Sequence, residues 1–276
     1  MMRTIAAGLA LACLITASTD AAAQSSLDEL MLRHGVDVKS GYAAAFDAHL
    51  APAVPVTPGS FATPLAVLTT GSGGERIAAA YAFGILAGRS GRAASAQELA
   101  AAGQVLVLMI SADDRNSRVA GARVAGRLFA APYERGGTGP AVPVGMVDGL
   151  FAQLNRNDET DQLAAMDALG LLRLANAVTS LTERYYFYRE RGKRVLAGGA
   201  LEALARIGDP STAAIVKQLA VDKWADGKDA TSLAVVFARE RLLKDGSVAV
   251  IRQALEEKKR RDQAYGYIVE LGVAVP

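Results

Sequence analysis

An all-α fold, built as a stacked array of helix pairs, is predicted by three observations. One helical pattern returns in the same register at Ile77–Leu86, Val119–Leu128 and Leu163–Leu172, with a fourth copy at Gly199–Ile207. Its anchor positions, Gly84, Gly126, Gly170 and Ala205, continue into a degraded copy at Glu240, at intervals of 42, 44, 35 and 35 residues. Such periods belong to arrays of helix pairs. Aromatic residues make up 6% of the chain, and abundant alanine favours closely packed helices over a sheet. The predicted architecture is an α-solenoid of about four or five antiparallel helix pairs, with loops absorbing the unequal intervals.

Residues 1–23 read as an export signal. Arg3 supplies the positive start, Ile5 to Thr16 is apolar, and Ala21-Ala22-Ala23 offers the small residues before a cleavage point. The apolar run is short for a bilayer span, which needs about 20 residues, so cleavage after Ala23 fits better than a retained anchor. Leu11-Ala12-Cys13 faintly matches a lipobox, but Ala10 is a weak start and apolar residues continue past Cys13, so lipidation there is not favoured. Cys13 is the one cysteine, and the cleaved chain is not built on disulfides despite an export route that would preserve them. The expected location is the periplasm or the exterior. A formal charge of +2 excludes the strong basic field of a nucleic-acid binder.

Residues 24–50 are read as capping helices. Leu27 to Leu50 forms one or two of them, with Asp28, Glu29, Arg33, Asp37, Lys39 and Asp47 for a polar outer side. Residues 51–73 are read as an extended connector because Pro52, Pro55, Pro58 and Pro64 interrupt them. Residues 74–271 are the repeat domain. Two before each anchor stand Ala82, Val124, Ala168, Ala203 and Ala238; two after it, Leu86, Leu128, Leu172, Ile207 and Leu242; six before it, Ala78, Ala120, Ala164, Gly199 and Ala234. Steps of four residues place these on one helix stripe, where small side chains allow close approach and an aliphatic one wedges the neighbour. Mid-helix glycine costs roughly 0.5–1 kcal/mol against alanine. Either close backbone approach or an early helix end would offset that.

Second helices are expected near Ser95–Ser111, Val144–Asn155, Ala175–Tyr188, Pro210–Val221 and Ser247–Lys259. Gly208 reads as a C-terminal cap, Asp209 as the next N-cap and Pro210 as a first-turn residue. Asp113-Asp114 and Asp158-Glu159 put negative charge where helices begin. Lys244-Asp245-Gly246-Ser247 repeats the stop and restart. A long loop is expected at Ala131–Pro143, with glycines at its tip.

The stretch Gly199 to Ala220, centred on Ala-Leu-Glu-Ala-Leu-Ala-Arg-Ile-Gly-Asp-Pro, resembles the HEAT-like repeat of phycobiliprotein-lyase-type proteins. The copies at Gly84, Gly126 and Gly170 keep the Gly and the following aliphatic residue but lack the Gly-Asp ending. The resemblance covers about residues 74–260 and implies a HEAT-like superhelix. Such families are mostly binding or scaffolding modules, with a minority of lyases.

No catalytic constellation stands out. His34 and His49, with Asp37 and Asp47, could in principle converge on a metal, but histidines on the surface of a capping helix are the simpler reading. Gly71-Ser72-Gly73-Gly74 lacks the Lys-Ser/Thr ending of a phosphate loop. No nucleophile has an adjacent base, and no cofactor is implied. The unusual patch is Arg184-Tyr185-Tyr186-Phe187-Tyr188-Arg189-Glu190-Arg191. Four successive aromatics point all round a helix, and Tyr and Arg dominate binding hot spots. Arg184, Tyr185, Tyr186, Tyr188, Arg189 and Arg191 are therefore the candidate partner-binding residues. The competing reading puts Tyr185 and Tyr188 in the core. Glu256 to Arg261 reads as the solvated face of a late helix.

These readings favour an exported scaffold for a protein partner, with no membrane span after cleavage. The alternatives are a lyase-type enzyme holding an elongated substrate in the groove and a self-associating envelope protein.

Overall fold

The computed structural model describes residues 24–48, 58–90, 94–131, 140–219 and 230–274. The export segment with Cys13, His49, connector residues 51–57 and the loop tip Gly136–Gly139 lie outside the described residues. Within them the chain is all-helical, with no strand, and no helix is long and apolar enough to cross a membrane. It divides into two units, residues 1–106 and 107–276.

The first unit holds α1 (24–33), α2 (Tyr42–Asp47), a 3-10 turn Pro58–Phe61, α3 (Ala62–Thr70), α4 (Gly73–Ser90) and most of α5 (Ala96–Ile110). Its core is aromatic at two points: the Phe61 and Phe83 rings lie 5.2 Å apart, as do Phe46 and Tyr81. Helix α3 corrects the connector reading. Pro64 falls in its first turn, where a missing N–H costs nothing, and Phe61 and Leu68 are fully buried. His34 also departs from its predicted surface position: it is buried and shares a 3.1 Å hydrogen bond with Ser60 Oγ. Ser95 and Glu98 close a reciprocal capping box at the start of α5, each accepting from the other's backbone N–H.

The second unit holds the end of α5 and then α6 (Arg115–Leu128), α7 (Met146–Leu154), α8 (Glu159–Leu171), α9 (Val178–Glu190), α10 (Arg194–Ile207), α11 (Ala213–Leu219), α12 (Ala230–Leu243), α13 (Val248–Ala254) and α14 (Arg261–Glu270). The predicted caps at Gly208 and Asp209 are present, and Asp114 and Asp158, expected as negative charge at helix starts, also cap their helices through their side chains. Asp114 accepts from Ser117 N at 2.8 Å, Asp158 from Thr160 N and Asp161 N at 2.9 and 3.0 Å, and Asp209 from Ser211 N at 2.8 Å. Gly208 ends α10 in the left-handed region at φ 74°. The Ser117 and Ser211 hydroxyls, and then their amides, hold the Asp114 and Asp209 carboxyls below the usual aspartate range, and the Asp161 amide does the same for Asp158.

The repeat helices pack on one another in order: α6 on α8, α8 on α10, α10 on α12. Each of α7, α9 and α11 approaches the repeat helix that follows it more closely than the one before it. Close backbone approach accounts for two of the anchor glycines, Gly126 and Gly170. A Cβ on Gly126 would lie 2.7 Å from Ala168 Cα, and one on Gly170 would lie 2.7 Å from Ala203 Cα. In both cases the anchor of one repeat sits over the residue two before the anchor of the next. Those positions, Ala82, Val124, Ala168, Ala203 and Ala238, are fully buried. The aliphatic wedge is weaker than expected late in the array. Leu86, Leu128 and Leu172 are buried, whereas Ile207 and Leu242 are only half-buried.

Buried charge ties α6 to α8. Arg118 forks onto Asp161 through Nε (3.1 Å) and Nη2 (2.7 Å), and its Nη1 donates to the Ala112 carbonyl at 3.0 Å. Gln153 of α7 donates to the same carboxylate at 3.1 Å. Every oxygen of the buried acid is thereby served, the condition under which such a pair holds elements in register.

Candidate functional site

Helix α9 resolves the four-aromatic run by its own geometry. Leu181, Tyr185 and Tyr188 stand at i, i+4 and i+7 and face inward, with exposures of 0%, 0% and 1%. Burial pushes the Tyr188 phenol above its ordinary value. Tyr186 and Phe187 are left outside, 38% and 41% exposed. Tyr186 lies edge-on to Tyr185 at 5.2 Å, and Phe187 edge-on to Tyr188 at 5.5 Å. The surface pair is therefore braced by the core pair beneath it.

Basic groups ring this corner. The Arg191 guanidinium sits 3.7 Å from the Phe187 ring centroid, a cation–π contact. Arg184 donates to Asn155 Oδ1 at 2.7 Å, Lys193 pairs with Glu159 at 2.9 Å, and Arg189 is half-buried. Val195, at the start of α10, adds an apolar side chain 64% exposed. Of the six predicted binding residues, Tyr186 and Arg191 are exposed, Arg184 and Arg189 are half-buried, and Tyr185 and Tyr188 belong to the core. Phe187 joins the exposed set; the predicted set omitted it, although an i, i+4, i+7 reading of the core side would have found it.

A second polar assembly was not anticipated. Three residues before and one after the anchors lie Arg123 and Arg127 on α6, Asp167 and Leu171 on α8, Glu202 and Arg206 on α10, and Phe237 and Arg241 on α12. Helix α14 lies over the last two pairs. Arg206, nearly fully buried, donates to Glu270 from Nε and Nη2 at 2.8 and 2.9 Å and to Asp167 from Nη1 at 2.6 Å. The Tyr267 hydroxyl donates to Glu202, and its ring stacks on Phe237 at 4.3 Å. Gln263 donates to Glu202 at 3.3 Å. Burial raises the Glu202 carboxyl and the Tyr267 phenol. The surrounding carboxylates hold Arg206 firmly charged. Toward α6, burial pulls Arg123 and Arg127 below the ordinary arginine value, and Asp167 acts against that shift in both.

Among the described residues no group of three His, Cys, Asp or Glu side chains could hold a metal ion. In comparisons with family models, with curated proteins and with solved structures, nothing matches this chain.

Proposed function

We propose that this protein is an exported HEAT-like α-solenoid that acts as a protein-interaction scaffold in the periplasm or outside the cell, and that its partner docks on the α9–α10 corner. Residues 1–23 serve as the cleavable signal on this reading, by the charge, apolar run and small residues described above. The solenoid form is supported by the order of packing. Helix α6 meets α8 and has no comparable packing against α10 or α12, as expected of units that contact only their neighbours.

The observation that carries the docking site is the exposed Tyr186–Phe187 pair, held rigid by Tyr185 and Tyr188 and flanked by Arg191. Rigid aromatic and arginine side chains bind with little further loss of conformational freedom. The test is affinity capture from an envelope extract with the mature protein and with a Tyr186→Ala/Arg191→Ala variant. The wild type is expected to retain a defined protein that the variant loses. Surface substitutions of this kind leave the melting temperature nearly unchanged. Equal capture by both proteins would remove the corner from the account.

A further inference from the structure

Three carboxylates converge on one guanidinium where α14 lies over α10. Arg206 gives Nε and Nη2 to Glu270 at 2.8 and 2.9 Å, and Nη1 to Asp167 at 2.6 Å. Glu202 is left outside this set: its Oε2 stands 3.7 Å from Nη2, beyond hydrogen-bond reach. Its other oxygen is well served. The Tyr267 hydroxyl and Gln263 Nε2 both donate to Oε1, the latter at 3.3 Å, and Gln263 also donates to the Tyr267 oxygen at 2.9 Å. Among the described residues no donor reaches Oε2.

An ionised carboxylate oxygen beside an arginine draws in its N–H, and here the cation is spent on two other acids. The groups facing Glu202 come from each element of this joint. Helix α8 gives Asp167, α10 gives Arg206, and α14 gives Glu270 and the Tyr267 phenol. Helix α12 gives the uncharged Phe237 ring, stacked on Tyr267 at 4.3 Å. Arg123 and Arg127 of α6 stand beyond Asp167, which acts on both. Burial raises the Glu202 carboxyl, and Asp167 and Glu270 add to this, against Arg206 and the Tyr267 bond. Burial raises the Tyr267 phenol too, so it stays a donor.

We propose that Glu202 carries a proton in the assembled network and that α14 is a latch set by pH: loss of this proton puts a third negative charge beside Asp167 and Glu270 and loosens α14 from α10. A proton held more tightly by the folded chain than by the unfolded one stabilises at low pH, and that contribution is lost as pH rises through the folded value. The window therefore lies above about 4.3, the ordinary glutamate value. The latch is independent of the α9–α10 corner.

The test is hydrogen exchange of the mature protein, corrected for the intrinsic rate and followed from about pH 5 to 9, above the ordinary glutamate value. Opening of residues 261–270 is expected to rise with pH by about tenfold or more relative to residues 200–207, the equivalent of one pKa unit. Glu202→Gln keeps an acceptor for Tyr267 without the charge and should hold α14 closed across the range. Glu270→Gln removes a neighbouring charge and should move the transition to lower pH. Infrared spectra of the unaltered protein should show the carbonyl stretch of a protonated carboxyl that fades over the same range and is missing from Glu202→Gln. An α14 whose opening ignores pH, a Glu202→Gln variant that follows the unaltered course, or absence of the protonated band would overturn the proposal. So would loss of α14 protection in Glu202→Gln at every pH, since a charged Glu202 would then be what holds the helix.

Discussion

Gly126 and Gly170 carry the structural argument at the level of single residues. An exposed helical Gly→Ala change stabilises by about 1 kcal/mol, because glycine surrenders more backbone freedom on folding. Here a Cβ would meet backbone, Ala168 Cα or Ala203 Cα, at 2.7 Å. Two helices must part to admit it, and overpacking of this kind costs roughly 1–3 kcal/mol. Gly126→Ala and Gly170→Ala are therefore expected to lower the urea midpoint. Gly74→Ala, where a Cβ meets nothing within 4 Å, should leave it level or raise it. The same chemical change with opposite signs separates close approach from helix propensity, and a gain at Gly170 would contradict the contact.

Among elements, α14 depends on one buried cation. Arg206 bonds Asp167 of α8 and Glu270 of α14, and lies 3.7 Å from Glu202 on its own helix. Replacing it by methionine keeps most of the volume and leaves these carboxylates without their cation. Removal of one member of a buried ionic group costs about 3–5 kcal/mol. Arg206→Met should lose that much stability, and the amides of α14 should exchange earlier than those of α10. Loss below about 1 kcal/mol, the range of exposed pairs, would mean that α14 is held by the Tyr267–Phe237 stack and the bonds of Gln263 and Tyr267 to Glu202. This element also marks the limit of what the sequence discloses. Asp209 and Gly208 were legible as caps, and Asp114 and Asp158 as helix-start charges, because each acts within four residues. Tyr185 and Tyr188 stand among the binding candidates, although their spacing from Leu181 places them on one buried side of α9. The bond between Arg206 and Glu270 spans 64 residues, and no local pattern announces it. Pro64 misled for the opposite reason: proline reads as a breaker, yet in the first turn of α3 it breaks nothing.

For the whole of the second unit, the account rests on α6, α8, α10 and α12 forming a row in which each touches only its neighbours. Repeat spacing made the row legible; the face covered by α14 was not, since it combines residues of three repeats with a helix beyond them. Adjacent packed helices have axes about 8–10 Å apart, so separation should grow with each step. A Cys13→Ser background removes the native thiol. Spin labels at the exposed positions Asn116, Thr160 and Val195 then mark the start of α6, α8 and α10 in equivalent register. The account predicts an Asn116–Val195 distance roughly twice that of Asn116–Thr160, on the order of 20 Å against 10 Å. Two nearly equal distances, as three helices closing into a bundle would give, would contradict it.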